Sequence, residues 1–227
     1  MRSTVFATVA LAALMATMPG CVTASATDTD TAPPVHADRC EGCAGELKDG
    51  WGMEEGTVRM VPAGPTEASP FAPPVDLPAH CLVEGTINPR AGVGGVSYGI
   101  GFQLALPLDW NGRYLLQGGG GLNGSVRPAI GPVAAGDSPA LARGFAVVSH
   151  DSGHQGTGFD ASFYTDQRAA LDFAEASVRE VAVMTRAFTQ SFYGTAPHHS
   201  YMTGCSTGGR EGMLASQRYP ELFDGIV

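Results

Sequence analysis

The 227-residue chain holds 13 basic and 22 acidic residues, a net charge of −9 with histidines neutral. That balance excludes the basic face that nucleic-acid recognition requires. With 44% hydrophobic and 15% charged residues, it also excludes a disordered chain and fits a globular domain with a packed core.

In chain order, the first element is a targeting segment. Arg2 supplies a positive start, and residues 5–18 form an apolar stretch too short to span a membrane. Two processing sites compete. Ala24-Ser25-Ala26 suits a signal peptidase, whereas Met18-Pro19-Gly20-Cys21 resembles a bacterial lipobox with Cys21 lipidated. Either reading exports the folded part, to a secreted or periplasmic location or to a membrane anchor at Cys21, and permits disulfides. Residues 1–26 are therefore expected to be signal (or 1–20 for a lipoprotein), 27–42 a Thr-, Asp-, Ala- and Pro-rich linker, and 43–227 the main folded domain. Five cysteines are present: Cys21, Cys40, Cys43, Cys81 and Cys205. The spacing Cys40-x-x-Cys43 could serve metal or redox chemistry, but no second such pair accompanies it, and a disulfide to Cys81 is the simpler use.

A turn-rich stretch follows, with one short strand at 57–62. Strands at 82–86 and 99–106 open the main sheet. Asp109 to Gly112 is a turn, and the apolar strand 113–117 runs into Gly118-Gly119-Gly120-Gly121. Residues 140–143 end a helix capped by Gly144, and 145–149 reads as a strand buried on both faces. From 166 to 192 the pattern is helical. Leu171, Ala174, Val178, Val181, Thr185 and Phe188 form the apolar stripe, with Asp172, Glu175, Arg179 and Glu180 between them. Gly194 and Pro197 stop it. Strand 200–203, a turn at Ser206, helix 210–219 and a strand from 225 complete an alternation that predicts a doubly wound α/β sheet.

The chemistry concentrates at Gly204-Cys205-Ser206-Thr207-Gly208, a G-x-S-x-G pattern between a predicted strand and a predicted helix. A serine hydroxyl is a weak nucleophile. It needs a base for its proton and donors for the developing oxyanion. A sharp strand-to-helix turn exposes Oγ, flanking glycines let the crowded backbone turn, and the N–H of Thr207 faces the negative charge. Cys205, off the centre of the turn, is better suited to a disulfide than to attack. The 118–121 glycine run lacks the Lys-Ser/Thr of a phosphate loop and instead suits an early loop completing an oxyanion hole, with Gly120 or Gly121 as donor. His150-Asp151-Ser152-Gly153-His154 invites a catalytic or metal reading. In this architecture, however, acid and base follow the serine in the chain, so Asp151 and His154 are expected to support a loop. His198-His199 and Asp224 receive structural readings.

The block Gly204 to Arg210, with Gln217-Arg218-Tyr219-Pro220 and Phe223-Asp224-Gly225-Ile226-Val227, resembles the tannase and feruloyl esterase family. So do Trp110-Asn111-Gly112-Arg113 with the glycine run, Asp151-Ser152-Gly153-His154 and Ala79-His80-Cys81. The resemblance runs from about Cys43 to Val227. It implies an α/β-hydrolase fold, here its N-terminal half through the nucleophile turn. The acid, the histidine and a large lid are expected beyond Val227. It implies Ser206 as the acylated residue, Thr207 and a glycine of the 118–121 run as oxyanion donors, and Cys205 bridged to a cysteine beside the catalytic histidine. It also pairs Cys43 with Cys81, which leaves Cys40 without a role. Implied substrates are small esters of aromatic acids such as gallate, ferulate or terephthalate half-esters. No cofactor or metal is implied in this segment, although a structural calcium in the lid is. The rival expectation is a truncated or degenerate product that keeps part of the fold and no activity.

Overall fold

The computed structural model describes residues 35–227, apart from 44–45, 52, 54–55, 68–72 and 132–137. The targeting segment and its two processing sites lie outside the described residues. A seven-stranded sheet organises the rest, in the order β1-β4-β5-β7-β6-β8-β9. These strands are β1 (Thr57–Val61), β4 (His80–Ala91), β5 (Ser97–Pro107), β6 (Arg113–Gln117), β7 (Ala146–His150), β8 (His199–Thr203) and β9 (Gly225–Ile226). A separate hairpin pairs β2 (Gly64–Thr66) with β3 (Val75–Leu77). From β1 to β7 the pairing is antiparallel, and from β7 to β9 it is parallel. The mixed sheet has the predicted α/β alternation in its second half.

Alternation within the strands builds two cores. Leu104, Leu106, Tyr114, Leu116, Val148 and Met202 face a helical layer that contributes Leu47, Val178, Val181, Phe188 and Phe192. Their neighbours in sequence, Ala105, Leu115 and Val147, face the opposite way onto Leu77, Ala129 and Leu141. Each fully buried Leu or Phe stabilises the fold by roughly 1.5–3 kcal/mol. Two polar groups within the helical layer are satisfied. Tyr114 shares a 2.8 Å hydrogen bond with Thr185, and Tyr193 Oη donates to the Pro107 carbonyl at 2.7 Å.

Two expectations about the N-terminal region are corrected. Residues 35–42, expected to be linker, belong to helix α1 (Val35–Cys43), followed by α2 (Glu46–Trp51). Arg39 Nη1 donates to the Phe192 carbonyl at 2.7 Å, and the His36 ring packs edge-on against Tyr193. These contacts give an otherwise weakly amphipathic segment a tertiary reason to be helical. Cys81 is bonded to Cys40, not to Cys43. With α1 held in this position, the Cα of Cys40 lies 5.6 Å from that of Cys81, within disulfide reach. Cys43 is buried and is itself disulfide-bonded.

The long helical stretch also differs from its periodicity. Asp166 caps it, with Oδ1 accepting from Ala169 N at 2.9 Å. Then come α3 (Gln167–Leu171), a π-helical turn (Asp172–Ala176) and α4 (Ser177–Tyr193). The wider π turn shifts the helix phase. Leu171 and Ala174, expected in the core, are exposed, whereas Asp172 and Phe173 are buried. Buried Asp172 is held by Arg90 at 2.7 Å and Arg168 at 3.1 Å. Beyond the turn, Val178, Val181, Thr185 and Phe188 are buried as expected. Gly194, at φ 74°, ends α4 by donating its N–H to the Gln190 carbonyl. No helix among the described residues is long and apolar enough to cross a membrane.

Candidate active site

Parallel pairing of β6 with β8 sets Gln117 opposite Thr203. The glycine loop and the serine turn therefore leave adjacent strands at the same edge, where α/β sheets place their ligands. The serine turn leads directly into α5 (Thr207–Arg218), which starts three residues earlier than predicted. Ser206 stands at its N-cap with φ 59° and ψ −118°. A serine at that position normally folds its Oγ back onto the helix N–H groups. Here it makes no such bond and is exposed. Non-glycine residues seldom hold positive φ, and such strain persists where the surroundings over-determine it.

The glycines explain how the surroundings do so. A Cβ on Gly204 would collide with the backbone of Gly208. A Cβ on Gly208 would lie 2.8 Å from the Gly119 carbonyl oxygen, and one on Gly118 would lie 2.7 Å from Gly208 Cα. Three backbone segments thus touch where no side chain fits. Gly118 donates its N–H to the Thr203 carbonyl at 2.8 Å, and Gly208 donates to Gly119 O at 3.0 Å. Thr207 Oγ1 donates to the Gly121 carbonyl. The N–H groups of Gly118 and Gly119 are thereby committed, Gly119 to Glu211 Oε2 at 3.0 Å. Those of Gly120, Gly121 and Thr207 donate to no acceptor among the described residues. Cys205 is an exposed free thiol beside the turn.

The His150–His154 segment lies around this loop. Asp151 is buried, and its Oδ1 accepts from Gly101 N at 3.0 Å and Gly153 N at 2.8 Å. Burial pushes its carboxyl up to about 7 against the pull of those two N–H groups. His154 stacks on Phe163 at 3.8 Å, and burial lowers its pKa. His150 is fully buried, and desolvation likewise lowers its pKa, so its ring is neutral near pH 7. The bonds of Asp151 and the packing of His154 are those of loop supports. Asp224 accepts from Ser200 N at 2.7 Å and joins β8 to the final strand region, while His198 and His199 are exposed.

One residue of the site escapes sequence reasoning. Glu211, on the buried side of α5, accepts from Gly119 N, from Asn123 Nδ2 at 2.8 Å and from Ser152 Oγ at 2.9 Å. The available signal is its spacing three residues after Gly208. That places a long polar side chain on the stripe where α5 meets the glycine loop. Arg210 closes the motif block and opens the predicted helix. Its guanidinium donates to the carbonyls of Phe173 and Ala174 in the π turn and lies 4.3 Å over the Phe173 ring. Among the described residues no cluster of three or more His, Cys, Asp or Glu side chains could hold a metal ion.

The chain is similar to known proteins over most of its length. Residues 81–227 match the family model described as tannase and feruloyl esterase. Mono(2-hydroxyethyl) terephthalate hydrolase of Piscinibacter sakaiensis is 41% identical over 193 residues, covering 80% of this chain and 32% of that protein. Feruloyl esterase B from Aspergillus oryzae superposes with a TM-score of 0.68 at 28% identity, covering 84% of this chain and 36% of that one. Tannin acyl hydrolase from Aspergillus niger gives 0.55 at 26% identity, covering 75% and 31%. The chain thus spans about a third of the length of these proteins. The sheet is that of an α/β-hydrolase, and the chain belongs to the tannase and feruloyl esterase family.

Proposed function

We propose that the protein is a serine carboxylic-ester hydrolase acting on small esters of aromatic acids through an acyl-enzyme on Ser206. The observation that carries this reading is the N-cap serine that caps nothing. Its backbone is strained, its hydroxyl is exposed, and it sits beside three uncommitted N–H groups. Oγ attacks the ester carbonyl carbon, and the C–O bond to the alcohol breaks as the alcohol leaves with a proton. Water then releases the acid from the serine. The N–H groups of Thr207 and of Gly120 or Gly121 receive the oxyanion at each tetrahedral stage. In this fold the acid and the base follow the serine along the chain, so His150, His154, His198 and His199 are not assigned the role.

The aromatic preference rests on the relatives, which carry the names mono(2-hydroxyethyl) terephthalate hydrolase, feruloyl esterase B and tannin acyl hydrolase. Export rests on the Cys40–Cys81 disulfide, which an oxidising compartment would maintain. The test is hydrolysis of a panel of methyl esters by the complete protein and by Ser206→Ala. Gallate, ferulate and terephthalate half-esters should be cleaved faster than acetate esters, and the variant should cleave each about 10⁴-fold or more slower than the parent. Equal turnover by parent and variant would overturn the assignment of Ser206.

A further inference from the structure

Four non-glycine residues of the described chain have positive φ: Asn88, Asn123, Ser152 and Ser206. Two of these, Asn123 at 57° and Ser152 at 69°, direct their side chains onto one group, the carboxylate of Glu211. Asn123 Nδ2 donates to Oε1, and so does Ser152 Oγ, while the Gly119 N–H donates to Oε2. Asn123 and Ser152 are also bonded to each other. Glu211 is fully buried. Around it stand Arg210 Nη2, 3.9 Å from Oε1, and the neutral ring of His150, 3.7 Å from Oε2. A buried carboxylate with this many donors aimed at it is costly to assemble. A merely packed position would be served by an apolar side chain.

The placement says what the group does. The N–H of Gly119 is held by Glu211, and its carbonyl accepts from Gly208 N, so α5 grips both ends of the residue. The two residues that follow, Gly120 and Gly121, carry the N–H groups left uncommitted. Asn123 fixes the far end of the same loop to the same carboxylate, and Gly121 is additionally held through its carbonyl by Thr207. The helix that bears Ser206 at its cap therefore sets the position of the loop across from it.

Resting on the assignment of Ser206 as nucleophile, we infer that Glu211 is the positioning residue of the oxyanion loop. It fixes the N–H groups of Gly120 and Gly121 relative to Ser206 and touches no substrate atom itself. Preorganised donors act on the transition state more than on the bound ester, so their misplacement lowers kcat and leaves KM nearly unchanged.

The experiment compares the complete parent protein, Ser206→Ala, Glu211→Gln and Asn123→Ala. A glutamine can keep the bonds from Asn123 and Ser152 but opposes an N–H to the N–H of Gly119. Glu211→Gln should lower kcat for an aryl ester by about 10–100-fold with KM within about twofold. Amide hydrogen exchange at Gly119–Gly121 should accelerate. Asn123→Ala should give the same pattern at a smaller amplitude, and it decides the matter if Glu211→Gln does not fold. A folded Glu211→Gln with parental kcat, or a change confined to KM in either variant, would overturn the inference. An inactive parent that fails to react at Ser206 would instead remove the nucleophile assignment. Exchange at Gly119 would still report whether Glu211 holds the loop.

Discussion

The two halves of the sheet solve different problems. In the antiparallel half, β4 and β5 pair over almost their whole length, interrupted by one irregularity between Ile87 and Arg90. A disulfide joins α1 to β4, and the interior is apolar. In the parallel half, β6 and β8 are short, and three strained residues with a buried carboxylate occupy the edge where they end. The first half is stabilised by burial and a crosslink. The second maintains strained backbone, which the burial elsewhere must offset. If this division is right, changes in the first half should alter stability without altering chemistry, and changes in the second should alter chemistry first.

The largest effect belongs to Ser206→Ala, which should lower ester hydrolysis by about 10⁴-fold or more while leaving the melting curve close to that of the parent. A loss in stability of comparable size would blur the division. Next comes Gly204→Ala, whose Cβ has no space against Gly208. It should remove activity and lower stability by about 1–3 kcal/mol or more, read by denaturant titration and by aryl-ester turnover on the same samples. Replacing Cys40 and Cys81 together by serine opens a crosslink between residues 41 apart. About 2–4 kcal/mol of stability should be lost, with kcat of the folded fraction unchanged.

The last prediction is a pH slope. Folding raises the Asp151 carboxyl from an unfolded value near 4 to about 7. The native state therefore binds the extra proton between those values, and this group's contribution to stability falls as pH rises from about 4 to about 7. Buried His150 works in the opposite sense. Its lowered pKa makes stability fall as pH drops below about 6.5, where the unfolded chain takes up the proton. Asp151→Asn should remove only the first slope, so its stability relative to the parent should improve toward neutral pH. Parallel curves from pH 4 to 8 would mean that Asp151 is not raised.

How much of this was legible in the sequence follows the same division. Strands 82–86 and 99–106 announced themselves because alternate residues serve two cores, and the structure only lengthens them. The serine turn was legible because its glycines are a local steric requirement. What escaped was set by contacts distant in sequence. Helical periodicity placed Leu171 and Ala174 in the core, but Arg90, 82 residues before Asp172, draws that carboxylate inward and the π turn shifts the face. The spacing of Cys40 and Cys43 does not say which faces Cys81; the contacts of Arg39 and His36 with α4 decide it. Glu211 was not legible as part of the site, because its partners at Gly119, Asn123 and Ser152 lie on two earlier loops.

The most direct test of the central claim is to treat the complete protein with a fluorophosphonate and map the adduct by peptide mass spectrometry. One adduct is expected, on Ser206, absent from Ser206→Ala and retained in Cys205→Ala. An adduct that persists in Ser206→Ala, or a parent protein that takes up none, would contradict it.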